Sequence, residues 1–203
     1  MGKLSFKYGV MGSGKSTELL QIIHNYQKHG LSPLTLKPEN DRIDGHLIQS
    51  RLGISKMADY CFNSQSNLLA LIGAFSQLNE IDCIIIDEAQ FLTTKQIEDL
   101  FRISIEFDLD VLCYGLKLDF TGKCFAGSGR LLELANEISE IETICSCGEP
   151  AKFNIRMVNG QPVFTGEQVI IDNNKGGTIT YEAVCPRHFC DAADTVKLNG
   201  GRI

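Results

Sequence analysis

The run Gly9-Val10-Met11-Gly12-Ser13-Gly14-Lys15-Ser16 satisfies the pattern G-x-x-x-x-G-K-[ST]. Glycines at these places let backbone N–H groups converge on phosphate oxygens, while the lysine reaches the β- and γ-phosphates and the serine hydroxyl ligates magnesium. The chemistry implied is capture of a nucleoside triphosphate such as ATP together with Mg2+. A second centre follows in Asp87-Glu88, which closes the apolar run Ile81-Asp82-Cys83-Ile84-Ile85-Ile86. Asp87 suits the task of holding magnesium, directly or through water. Glu88 then stands beside the γ-phosphate, where a carboxylate accepts the proton of the attacking nucleophile. Water as that nucleophile makes an ATPase or motor, and a substrate hydroxyl makes a kinase.

Two further clusters are Cys145-Ser146-Cys147 and Cys185-Pro186-Arg187-His188. Four N and S ligands suit tetrahedral zinc, and a filled shell leaves no open position for catalysis, so the site reads as structural. Cys145, Cys147, Cys185 and His188 are the expected ligands, with Cys190 an alternative to His188. Cys61, Cys83, Cys113 and Cys124 stand singly in apolar stretches and read as reduced core thiols. His24, His29 and His46 show no ligand pairing and are expected at the surface.

The elements that must position these residues follow from periodicity. Leu4 to Tyr8 reads as a strand feeding the glycine-rich turn, and Leu19, Leu20, Ile22, Ile23 and Tyr26 recur at helical spacing up to Gly30. Pro33 to Lys37 gives a second strand. Ile81 to Asp87 and Asp110 to Tyr114 are apolar runs of the kind buried on both faces of a parallel sheet, separated by a helical stretch from about Thr94 to Phe107. The alternation implies a doubly wound α/β sheet. After Thr143 the texture changes to short alternating stretches, such as Phe164 to Ile171 and Thr178 to Val184, punctuated by Cys and Gly. The expected organisation is a nucleotide-binding domain over 1–143, a zinc-binding domain over 144–190, and a patternless tail over 191–203 that frays.

The chain has 203 residues, 43% of them hydrophobic and 22% charged, with a formal net charge of -6. That balance suits a globular domain and argues against a protein whose main partner is a nucleic-acid polymer, which needs Lys and Arg in excess. No run approaches the length that crosses a bilayer and no signal-peptide core is visible, so a cytoplasmic protein without membrane association is expected.

These residues together resemble a family, the type II thymidine kinases. The resemblance is carried by Gly9 to Ser16 with Met11, by Asp87-Glu88-Ala89-Gln90-Phe91, by Cys113-Tyr114-Gly115-Leu116 through Asp119-Phe120, and by the Cys/His ligands with Tyr181 before Cys185. It implies a RecA-like P-loop sheet flanked by helices, with a small zinc-binding domain carrying a lasso loop. The activity implied is transfer of the γ-phosphate of ATP to the 5′-hydroxyl of thymidine. Glu88 would be the general base, Lys15 and Arg42 would balance phosphate charge, and Gln90 would belong to the nucleotide-binding set. A thymine pocket is implied from Met11, Phe91, Leu116, Phe120, Phe125 and Tyr181, with the base read by main-chain groups around Val169, Ile170 and Ile171. Gly176-Gly177 follows Val169-Ile170 later than the family pattern has it, so the loop reads as a few residues longer. A homotetramer inhibited by thymidine triphosphate is also implied. The rival readings are a nucleoside-independent P-loop ATPase and a regulatory nucleotide-binding module without catalysis.

Overall fold

The computed structural model describes residues 1–39, 46–78, 80–168, 178–198 and 200–201. Its larger sheet is built from β1 (Leu4–Tyr8), β2 (Pro33–Pro38), β5 (Tyr60–Phe62), β6 (Cys83–Ile86), β7 (Asp110–Gly115) and β8 (Glu137–Glu140). The strand order is β5-β2-β6-β7-β1-β8, and every pairing is parallel. A separate hairpin joins β3 (Leu47–Gln49) to β4 (Ser55–Met57).

Helices α1 (Lys15–Lys28), α2 (Leu68–Leu78), α3 (Thr94–Glu106) and α4 (Ala126–Leu134) flank this sheet. Because successive strand residues point to opposite faces, Ile84 and Ile86 pack with Leu68, Ile97, Leu100 and Leu131, whereas Cys83 and Ile85 pack with Leu19, Leu20 and Ile23 of α1. Each fully buried branched side chain of this kind contributes about 1.5–3 kcal/mol, which is why the central strands are nearly continuous apolar runs. Among the described residues no helix is long and apolar enough to cross a membrane.

A smaller antiparallel sheet of order β10-β9-β11 lies beyond β8, made from β9 (Phe153–Val158), β10 (Gln161–Val163) and β11 (Ile179–Val184). Helix α5 (Pro186–Leu198) follows β11. Two expectations are corrected here. Residues 191–198 are not a frayed tail, since α5 runs through them to Leu198 with Lys197 in its last turn. The alternating stretch expected from Phe164 to Ile171 forms no strand over 164–168, its remainder lying outside the described residues, and β11 pairs with β9 instead. Phe153 stacks on Phe189 of α5 at 4.3 Å between centroids and Phe164 meets the same ring edge-on at 5.3 Å, so both anchor the helix to the sheet.

Candidate active site and metal centre

The P-loop joins β1 to α1. Gly12 and Gly14 have φ of 79° and 94°, a left-handed conformation open to glycine at no steric cost, and Gly14 caps the start of α1. Lys15 is 6% exposed and its Nζ donates to the carbonyls of Gly9 and Val10 at 3.2 and 2.9 Å. Burial holds its pKa below the ordinary lysine value and Arg51 pushes the same way, while Glu88 and Asp87 oppose the shift. The cleft outside this loop, about 730 Å³, runs from Met11 to Glu18 on one side and from Gln49 to Leu52 on the other, with Glu88 and Leu116 in its wall.

Asp87, 3% exposed, follows β6 directly, and its backbone N–H donates to Leu36 O at 3.0 Å. At Glu88 the chain turns sharply, with φ 50° and ψ 42°, before a short 3-10 turn over Ala89–Phe91. A non-glycine residue held there carries strain of order 1–3 kcal/mol that the surroundings must offset. Gln90 supplies the restraint. Its amide N–H donates to the Glu88 carboxylate, and its Oε1 accepts the Leu116 N–H at 2.9 Å, so one buried side chain ties the acid to the end of β7.

Leu116 opens the connection from β7 to α4, a compact loop centred on Asp119. That carboxylate's Oδ1 accepts the N–H of Thr121 and of Lys123 at 2.8 and 3.0 Å, and Leu118 pairs with Cys124. The loop presents Phe120 and Phe125, both buried. The expected aromatic pocket divides in two. Phe91 and Phe125 meet edge to face at 6.0 Å, whereas Phe120 and Tyr181 sandwich Arg156. Arg156 is 1% exposed, lies 3.5 Å over the Phe120 ring, and donates from Nε to the Tyr181 hydroxyl at 2.9 Å. Its Nη2 donates to Gln168 O at 3.1 Å, and Gln168 donates in turn to the second Asp119 oxygen at 2.9 Å.

Arg156 and Gln168 escaped the sequence reading, as did Asn154, which accepts the Met11 N–H at 2.8 Å, and Arg51. The available signal was Asn154-Ile155-Arg156, where two polar side chains alternate with an apolar one inside a strand. Arg42, Val169, Ile170 and Ile171 lie outside the described residues.

The four expected metal ligands converge, with the Sγ atoms of Cys145, Cys147 and Cys185 and a ring nitrogen of His188 all within 4.8 Å of one another. Cys147 Sγ and Cys185 Sγ are 3.8 Å apart, too far for a disulfide and close to the edge of a tetrahedron with metal–sulfur bonds near ~2.3 Å. A turn over 145–148, with Gly148 N–H on Cys145 O at 2.9 Å, sets the first pair. The start of α5 one residue after Cys185 brings His188 round to the first pair, with Nδ1 3.1 Å from Cys145 Sγ, while Cys190 is exposed. Backbone N–H groups of Cys147 and Cys185, with the His188 ring, pull the Cys145 thiol down to about 5, which favours the thiolate form that metal ligation requires.

Of the single cysteines, Cys61, Cys83 and Cys113 are buried as expected, but Cys124, which pairs with Leu118 in the β7–α4 loop, is exposed. His24, His29 and His46 are exposed, and His46 Nδ1 also lies 3.3 Å from Cys61 Sγ.

Comparison with known proteins agrees with this geometry. The family model described as "Thymidine kinase" matches residues 2–189. A curated thymidine kinase of Yersinia pseudotuberculosis is 43% identical over 194 residues, covering 95% of this chain and 96% of its own. One from Legionella pneumophila strain Paris is 44% identical over 93% of this chain and 90% of its own, and one from Rhodopirellula baltica is 42% identical over 95% and 90%. With a P-loop, an acid at its mouth and a Cys3His cluster on one chain matched almost end to end, the protein belongs to the thymidine kinase family.

Proposed function

We propose that the chain transfers the γ-phosphoryl group of ATP to the 5′-hydroxyl of thymidine, giving thymidine monophosphate and ADP. The observation that carries this reading is the shared cleft of the P-loop, Glu88 and Leu116, in a chain of this family. Glu88 is the general base. It takes the hydroxyl proton as the nucleoside oxygen bonds to the γ-phosphorus and the bond from that phosphorus to the ADP oxygen breaks. Phosphoryl transfer asks mainly for positioning and charge neutralisation, so Lys15 holds the β- and γ-oxygens and Arg42 adds a second positive charge. Ser16 and Asp87 would hold magnesium, which would supply positive charge to the phosphates of ATP.

Thymidine lies against Met11, Phe91, Leu116, Phe120, Phe125 and Tyr181, with backbone groups near Val169, Ile170 and Ile171 on the base. Zinc is the metal that the Cys3His set fits, and it fixes the ends of the segment bearing the substrate loop within the domain proposed over 144–190. The resemblance also supports a cytoplasmic homotetramer inhibited by thymidine triphosphate.

The test is ADP formation with and without labelled thymidine. Equal amounts of ADP and thymidine monophosphate, formed only when the nucleoside is present, are expected. ADP production indifferent to any nucleoside would sink this reading in favour of an ATPase.

A further inference from the structure

The wall of the nucleotide cleft that faces the P-loop is the turn of the β3–β4 hairpin, residues Gln49 to Leu52. The turn is closed by Ser50 N–H on Ile54 O at 2.9 Å and Gly53 N–H on Ser50 O at 3.1 Å. It places Arg51 against the loop so closely that a Cβ at Gly12 would stand 2.9 Å from the guanidinium Nη1. Among the described residues Arg51 has no ion-pair partner. Its charge is nonetheless felt across the cleft, since it works against protonation of Lys15. Glu88 in the cleft wall and Asp87 offset part of that positive charge at Lys15, but the Arg51 guanidinium itself, set against the phosphate loop, is left to an anion that enters the cleft.

A second feature points the same way. Residues Ser13 and Ser50 line this same cleft from opposite sides, and the buried Oγ atom of each has no hydrogen-bond partner among the described residues. Buried hydroxyls are normally paired, so an unpaired one on each wall marks a place made for oxygen-rich cargo.

From this geometry we propose that Arg51 is a catalytic residue of the chain, supplying from the β3–β4 turn a guanidinium that contacts the terminal phosphate of ATP. The inference rests on the phosphoryl-transfer reading above. The guanidinium stabilises the charge on the equatorial oxygens as the group transfers, as a donor built into the same chain rather than lent by a partner.

The experiment compares wild-type protein with Arg51→Ala and Arg51→Lys in two assays. One measures binding of ADP and of a non-hydrolysable ATP analogue, and the other measures thymidine phosphorylation with and without added guanidinium. Arg51→Ala is expected to keep its affinity for ADP, to bind the ATP analogue roughly tenfold more weakly, and to lose about 10²- to 10³-fold in kcat, the cost typical of one missing transition-state donor. Guanidinium should restore part of that turnover, and Arg51→Lys should fall between the two.

Wild-type kcat in Arg51→Ala overturns the proposal. So does an equal weakening of ADP and ATP analogue without rescue, which would make Arg51 only a brace for Gly12. If Arg51→Ala fails to fold, Arg51→Lys decides: unchanged turnover with unchanged ATP-to-ADP preference rejects the role. Wild-type protein that makes no thymidine monophosphate would refute the kinase reading itself, and the binding assay would still report whether Arg51 meets the terminal phosphate.

Discussion

Glu88 is a carboxylate held in a left-handed backbone by a glutamine that is itself 3% exposed and committed at both ends of its amide. Such an arrangement fixes where the acid points, which matters more for a proton acceptor than raw basicity. Replacing Glu88 by Gln removes the basic oxygen while leaving the shape. Glu88→Gln should bind ATP with unchanged affinity and lose roughly 10²- to 10⁴-fold in turnover, the range for a missing acid-base group. Steady-state kinetics beside direct nucleotide binding checks both halves, and near-normal turnover would remove Glu88 from the reaction.

Helix α4 explains how the turn bearing that acid is supported. Gly127 lies against it so tightly that a Cβ would stand 2.5 Å from Leu92 O, 2.9 Å from Gln90 O and 3.0 Å from Ala89 O, all of them backbone atoms. Helix α3 starts from the same segment through a reciprocal cap, with Gln96 N–H on Thr93 Oγ1 at 3.2 Å and Thr93 N–H on Gln96 Oε1 at 3.0 Å. The two sites separate stability from function. Thr93→Ala should cost about 1 kcal/mol, the usual value of a lost cap, and leave kcat unchanged. Gly127→Ala should cost about 1–3 kcal/mol through overpacking and also lower kcat, because its new methyl pushes on the residues that orient Glu88. Thermal denaturation and turnover measured on both variants test the contrast, which fails if Gly127→Ala is as active as the parent.

Across the molecule, the two sheets are joined at the phosphate loop. Val10 is buried in a cluster with Cys145, Ile155, Val184 and Cys185, while the Met11 N–H is held by Asn154 of β9. The glycine-rich loop is thus braced by the module that carries the Cys3His cluster. One zinc per chain is expected by elemental analysis. Stripping it with a chelator should weaken ATP binding, and restoring zinc should recover it, as followed by nucleotide titration of the whole protein. Full ATP affinity in metal-free, folded protein would contradict the coupling.

Local pattern was enough for much of this. The phosphate loop is a contiguous motif, the sheet strands are contiguous apolar runs, and the zinc ligands are two short clusters, so each declares itself without knowledge of its neighbours. Arg51, Asn154, Arg156 and the bond from Gln90 to Leu116 declare nothing locally, since each meets a residue distant in the chain: Arg51 against Gly12, Asn154 on Met11, Arg156 on Phe120, Gln90 on Leu116. The helical run past Cys190 was likewise hidden, because α5 has no fully buried residue and owes its place to the stacking of Phe189 on Phe153. Short-range chemistry can be read along one dimension, but which charge faces which ring or loop depends on how separate segments pack in three.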